Sequence, residues 1–414
     1  MPAAAPLVVR TTVVDDPGPL LQLLPEHAPF AWVRRGEGIV GWGTAARFEA
    51  TGSGQITAAD RWWRRLAGGS VVRDEVRRPG SGPIAFGSFA FDEDRCSSAL
   101  VVPKIAVGHR SGRWWVTTVS TDGALPPAPT LPSQLPPRSP NTVAFADGAR
   151  SGADWELVVA EAVRRIGGGE LEKVVLARDL VAEAAEAIDP RWLLGRLADR
   201  YPRCWTFSVD GLIGSTPEML VRLERGLVTS RVLAGTIRRT GDDAHDLALA
   251  ASLARSSKDL EEHEYAVRSV AHALEPYCSS MNVPETPFVL HLPNVMHLAT
   301  DVTGVAADGA GSLALAAALH PTAAVCGTPT AQARTVIREL ELMDRGRYAG
   351  PVGWIDARGD GEWGIALRCG RIDPQHPERM RLFAGCGIVA GSDPEAELAE
   401  SAAKLVPMRD ALAD

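Results

Sequence analysis

The sequence predicts an α+β fold, a single large domain in which a large antiparallel sheet is packed with helices. Three observations carry this reading. Strand-like and helix-like runs come in blocks, no repeat recurs at solenoid periods, and 414 residues, 45% of them hydrophobic, suffice for a sizeable core.

Residues 1–145 read as a sheet-rich first half. GPIAFGSFAFD (82–92), SALVVPKIAV (98–107) and RWWVTTVS (113–120) are strand-like runs of the kind found in antiparallel sheets. PPAPTLPSQLPPRSP (126–140) is too rich in proline for strand or helix and reads as an exposed loop. After this loop the pattern changes. DWELVVAEAVRRI (154–166) puts Val158, Val159, Ala162, Val163 and Ile166 on one helical face, and glycines 167–169 stop it. KVVLARDLV follows as a β-branched strand. WTFSVDGLIG and EMLVRLERGLVTSRV each hold a central turn, Asp210-Gly211 and Arg225-Gly226, so they read as hairpins on a common sheet. One long helical stretch is expected from about residue 242 to 278, then strands near 350–357, 362–372 and 380–389. A last helix opens at Asp393 and Pro394, a good N-cap followed by a proline suited to the first turn.

Composition narrows the function. The net charge is −8 and no Lys/Arg-rich run appears, which argues against nucleic-acid and membrane-surface roles. The opening MPAAAPLVVRTTVVDD lacks a basic segment followed by a long apolar run, and no stretch reaches about 18 uninterrupted apolar residues, so a cytoplasmic protein is expected. Cys96, Cys204, Cys278, Cys326, Cys369 and Cys386 are scattered without CxxC spacing and read as reduced fillers, none of them a nucleophile.

Two acidic pairs, Asp259/Glu262 and Glu397/Glu400, stand at i, i+3 in the helical segments. On spacing alone each reads first as a solvated face, with Glu400 and Lys404 as an i, i+4 ion pair. If the two faces met, four carboxylates would form an oxygen-only site for Mg²⁺, and such a cation suits an anionic substrate.

Eight motifs in order favour the meeting. KVVLAR (173–178), STPEMLVR (215–222), LAGTIRR (233–239), KDLEEHEYAV (258–267), HLAT (297–300), HPTAAVCG (320–327), LRCG (367–370) and LFAGCGIVAGSDPEAELAESAAKL (382–405) resemble the chorismate-utilising enzymes. That group holds isochorismate, salicylate, anthranilate and aminodeoxychorismate synthases, and the resemblance implies the anthranilate synthase component I-like fold, with residues 152–412 as the chorismate-binding region. It also implies Mg²⁺ as the cofactor, with Glu262 and Glu400 as direct ligands and Asp259 and Glu397 bound through water. His263 is expected to support them.

The same resemblance assigns the reaction. Lys173 matches the general base that activates water in the isochorismate and salicylate branches, where anthranilate synthases usually carry Gln. Glu218 matches the acid that protonates the departing 4-hydroxyl. Tyr348 and Arg368 match the groups that hold the enolpyruvyl carboxylate, an Arg fork being suited to bidentate binding. His297 matches a ring contact and Lys404 a group near the ring carboxylate, while Gly235, Thr236, Gly385 and Gly387 would bring backbone N–H groups to the ligand. Ala234 stands where aminodeoxychorismate synthases commonly have Lys. Ala324 is the type seen in isochorismate synthases, whereas salicylate and anthranilate synthases usually carry Thr. The resemblance therefore implies conversion of chorismate to isochorismate by a monomer with no glutaminase subunit. Its alternatives are a salicylate synthase that goes on to eliminate pyruvate, an aminating relative, and a silent chorismate-binding relative.

Overall fold

The computed structural model describes residues 6–127, 130–131, 133–291 and 295–413, without the side chains of Thr236, Lys258 and Glu262. Eight α-helices stand among them: α1 (Gln55–Gly68), α2 (Gly152–Gly167), α3 (Pro190–Arg200), α4 (Asp243–Leu253), α5 (Ser257–Leu274), α6 (Ser312–Leu319), α7 (Thr330–Leu340) and α8 (Pro394–Leu412). The strands form two large sheets instead of the single one expected. A 13-stranded sheet runs from Val143–Asp147 through Lys173–Ala184 and Arg379–Ile388 to Trp205–Val209, then continues with Phe30–Arg34 and further strands of the first half. A 10-stranded sheet runs from Cys278–Asn282 through Val295–Ala306 and Leu227–Arg238 to Pro351–Asp356, then continues with Ile84–Ser88. Each sheet thus joins both halves of the chain. All pairings are antiparallel except Val8–Val14 with Val71–Asp74.

The main core lies between the sheets. Trp32 and Phe207 of the larger sheet meet Phe86 and Trp363 of the smaller, all at most 1% exposed. A polar link crosses the same layer, where Trp32 Nε1 donates to Glu362 Oε2 at 2.8 Å. On the outer face of the larger sheet, Leu193 and Leu197 of α3 and Leu405 and Met408 of α8 cover Leu382. Helix α5 packs on Leu227–Arg238 and Val295–Ala306 of the smaller sheet.

Several expected elements divide where the chain changes sheet. The run 98–107 is two strands, Ser98–Val102 in the smaller sheet and Ile105–Arg110 in the larger, separated at Pro103, which has no N–H to continue a ladder. The two hairpins do not share a sheet either. Trp205–Val209/Leu212–Thr216 belongs to the larger and Met219–Glu224/Leu227–Arg238 to the smaller, so Pro217 and Glu218 form the crossing. The run 362–372 likewise divides into Gly361–Ile365 and Cys369–Ile372 on different sheets, and Arg368 makes the bend with φ 49°. The stretch 242–278 is two helices, because Ser256 caps a new start at α5 by accepting from Asp259 N at 3.3 Å. Beyond α5 a 3₁₀ turn, Glu275–Tyr277, leads into strand Cys278–Asn282. Helix α8 begins as expected, with Asp393 Oδ1 accepting from Ala396 N at 2.9 Å and Pro394 in the first turn.

Candidate active site

The sheet crossings open onto a cavity of about 310 Å³. Glu218 and Arg368 reach it from the two crossings, Lys173 from the first residue of Lys173–Ala184, and Glu400 and Lys404 from α8. Asp259 of α5, His297, Arg345 and Tyr348 add further polar lining. Lys173, Leu233, Ala234 and Ala324 also border a wider outer chamber of about 840 Å³. A third space of about 210 Å³ meets the cavity at Glu218 and Ala324, so Ala324 borders all three.

Glycines make the close approaches. Lys173 lies on a strand paired with Arg379–Ile388, with Val175 opposite Gly387 and Ala177 opposite Gly385. A Cβ on Gly387 would sit 3.0 Å from Lys173 Cε, and one on Gly385 would sit 3.0 Å from the Tyr348 hydroxyl. Both residues clear space for side chains. Gly235 has φ 75° at a bulge between Ala234 and Thr236, where a Cβ would press on Asp259 at 3.3 Å.

Electrostatics separate the titratable groups. Burial pushes the Glu218 carboxyl up to about 7, although Lys173, Lys404 and Arg368 pull it down. Burial, reinforced by the Arg368 and Lys404 charges, pushes His297 down to about 4, so its imidazole is neutral at physiological pH. The Tyr348 phenol is raised far above its ordinary value by burial and remains an O–H donor; its ring stacks on Phe383 at 5.2 Å. Burial works against the Lys404 charge, but the Glu400 carboxylate outweighs it, and the ammonium donates to Gly385 O at 2.9 Å and pairs with Glu400 Oε1 at 2.8 Å.

The acid pairs are partly brought together. Asp259 and Glu400 line the same cavity, which the solvated-face reading did not require. Glu397 lies beside Glu400, its Oε1 accepting from Ser392 Oγ at 2.8 Å, and burial raises its carboxyl above the ordinary range. Burial also acts to raise Glu400, yet Lys404 holds it below the ordinary value. The Glu262 and Thr236 side chains lie outside the described residues. The Cys386 sulfur approaches Glu397 and Glu400, but burial pushes its thiol up to about 12, so it stays protonated and the charged donors are oxygens. Such a set fits a hard divalent cation. His263 is buried and turned to the neighbouring strand, its Nε2 bonded to Thr300 Oγ1 at 2.8 Å.

One pair escaped the sequence reading. Glu341 and Arg345, 3% exposed or less, form a salt bridge at the cavity wall, which Arg345 lines. Glu341 Oε1 accepts from Ala177 N at 2.7 Å, while Arg345 donates to Val175 O at 2.6 Å and Val325 O at 2.9 Å. The pair ties the Lys173 strand to the loop that carries Ala324. Its only sequence signal is i, i+4 spacing in ELELMDR just before Tyr348.

This two-sheet α+β fold, with an acid, a lysine and an arginine gathered on one cavity, defines an enzyme acting on a small molecule. The chain belongs to the chorismate binding enzyme family, which it matches over residues 21–126 and 127–413. It is 41% identical over 271 residues to the isochorismate synthase DhbC of Bacillus subtilis, covering 63% of this chain and 67% of that one. To the salicylate biosynthesis isochorismate synthase of Pseudomonas aeruginosa it is 32% identical over 398 residues, 90% of this chain and 82% of the relative. Its fold is that of MenF, the menaquinone-specific isochorismate synthase of Escherichia coli, with a TM-score of 0.81 and 24% identity over 99% of this chain and 95% of that one.

Proposed function

We propose that the protein is an isochorismate synthase, which adds water at ring carbon 2 of chorismate and releases the 4-hydroxyl. The observation that carries this reading is the placement of Lys173 and Glu218 on one cavity, with Glu218 pushed up to about 7. A carboxyl at that value still has a proton to give near neutrality, whereas an ordinary glutamic acid does not. Lys173 takes a proton from the attacking water, and Glu218 gives one to the departing hydroxyl, which leaves as water. The two groups face a common space, through which solvent returns the proton from Lys173 to Glu218.

The remaining groups hold the substrate. Arg368 and the Tyr348 hydroxyl receive the enolpyruvyl carboxylate, neutral His297 contacts the ring, and Lys404 lies near the ring carboxylate. Asp259, Glu397 and Glu400, with Glu262 from the sequence pattern, would hold Mg²⁺, which would act as a Lewis acid and draw charge from the ring. Ala324, which borders all three spaces, is the residue type seen in isochorismate synthases at this motif position, and this favours a reaction that stops at isochorismate.

The test is incubation of the pure protein with chorismate and Mg²⁺, with products separated by chromatography. Isochorismate is expected. Salicylate and pyruvate without a partner lyase, or a product that depends on ammonia, would overturn the reading. Turnover should disappear in Lys173→Ala.

A further inference from the structure

A second cavity, of about 520 Å³, shares no lining residue with the catalytic one. It lies beside Asp210 and Gly211, the turn of the hairpin Trp205–Val209/Leu212–Thr216. Pro29, Phe30, Ile188, Ile213 and Ile372 give it apolar walls. Three guanidinium groups, from Arg47, Arg347 and Arg371, supply its positive charge.

Two of these are balanced from within. Asp210 accepts from Arg47 Nη1 and from Arg347 Nη1, each at 2.7 Å, and Glu49 accepts from Arg47 Nε at 3.3 Å. Arg347, 2% exposed, is held further by Ser97 O at 2.9 Å and Ser88 Oγ at 2.9 Å. Glu26, also on the wall, is paired with Arg138. Arg371 is different: among the described residues no hydrogen bond or salt bridge holds its guanidinium, although its charge acts on Asp373 two residues along. A planar fork without a hydrogen-bonded partner beside apolar walls is complementary to a flat ring bearing a carboxylate.

We propose that this cavity is a second small-molecule site, which takes a small aromatic carboxylate with its anionic group on Arg371 and its ring against the apolar wall. The site adjoins the catalytic cavity along the chain. Arg347 directly precedes Tyr348, and Arg371 follows Arg368 on the same short segment.

Benzoate is the probe, titrated calorimetrically into the full chain. Wild type is expected to bind it, and Arg371→Gln to bind it at least about ten-fold more weakly, a loss of about 1.4 kcal/mol. Neutral benzamide should bind wild type at least about ten-fold more weakly than benzoate, as a charge-assisted contact requires. Arg368→Gln, which removes the fork of the catalytic cavity, should keep benzoate affinity within about two-fold of wild type. Chorismate turnover by Arg371→Gln serves as the check that this variant is folded. Absence of binding to wild type, equal binding by Arg371→Gln, or loss of binding in Arg368→Gln would each overturn the proposal. Turnover of chorismate is read separately, so failure of the second site leaves the catalytic reading standing.

Discussion

At Glu218 the proposed role as acid and the stability of the fold depend on the same buried carboxyl. Its folded value of about 7 lies above the ordinary 4.5, so the native state binds the proton more tightly than the unfolded chain does. The associated stability is fully present below about pH 4.5 and is lost as pH climbs through 7. Glu218→Gln has no such titration. Without metal or substrate, the variant should therefore be more stable than wild type at pH 8, by up to about 3 kcal/mol in urea unfolding, while kcat falls about 10²–10⁴-fold. Equal stability at pH 8, or retained activity, would remove the acid from the mechanism. Gly387 acts through space alone, since its backbone needs no left-handed φ and a Cβ there would press on Lys173 Cε at 3.0 Å. Gly387→Ala should keep the fold and lower kcat about 10²-fold through a displaced lysine, checked by turnover beside a thermal melt. At this scale the motif residues were legible because each stands in a distinctive short word. Glu341 and Arg345 were not, because a buried i, i+4 pair is written like a solvated one.

At the scale of elements, β-branched and aromatic runs revealed strands such as Lys173–Ala184 and Arg113–Ser120, but not which sheet each would join. Such a run reads the same in either sheet. The sorting is done by Pro103, by Pro217 and by the bend at Arg368, which divide runs that looked continuous, and two of these three crossings deliver catalytic-cavity side chains. The break between α4 and α5 was hidden for a similar reason, since Ser256 is an ordinary helix residue until it becomes a cap. Two predictions belong here. Glu341→Gln leaves Arg345 buried without its counter-charge and should cost about 3–5 kcal/mol, whereas Glu341→Leu with Arg345→Met should cost less, as double-mutant unfolding would reveal. Asp393→Ala removes the cap of α8 and should cost about 1 kcal/mol. Because Glu397 and Glu400 stand in the first two turns of that helix, it should also raise the Mg²⁺ concentration needed for half-maximal turnover.

For the whole molecule, the decisive fact is that neither half owns a sheet. Phe30–Arg34 pairs with Trp205–Val209 in the larger, and Ile84–Ser88 pairs with Pro351–Asp356 in the smaller. Between them the Trp32 indole of the first half donates to Glu362 of the second, and Arg110 reaches the same carboxylate at 2.7 Å. The Pro-rich loop that divides the sequence so visibly therefore divides nothing in the core. Cleavage within residues 133–140, a stretch without helix or strand, breaks one peptide bond and no ladder. The nicked protein should elute as one species on gel filtration, retain chorismate turnover, and unfold in a single transition. Residues 141–414 produced alone should fail to give a soluble enzyme, because Trp205–Val209 and Pro351–Asp356 would each become an unpaired sheet edge and the apolar layer between the sheets would lie open. Separation of the nicked halves in native buffer, or an active isolated second half, would mean that the shared sheets do not hold the molecule together.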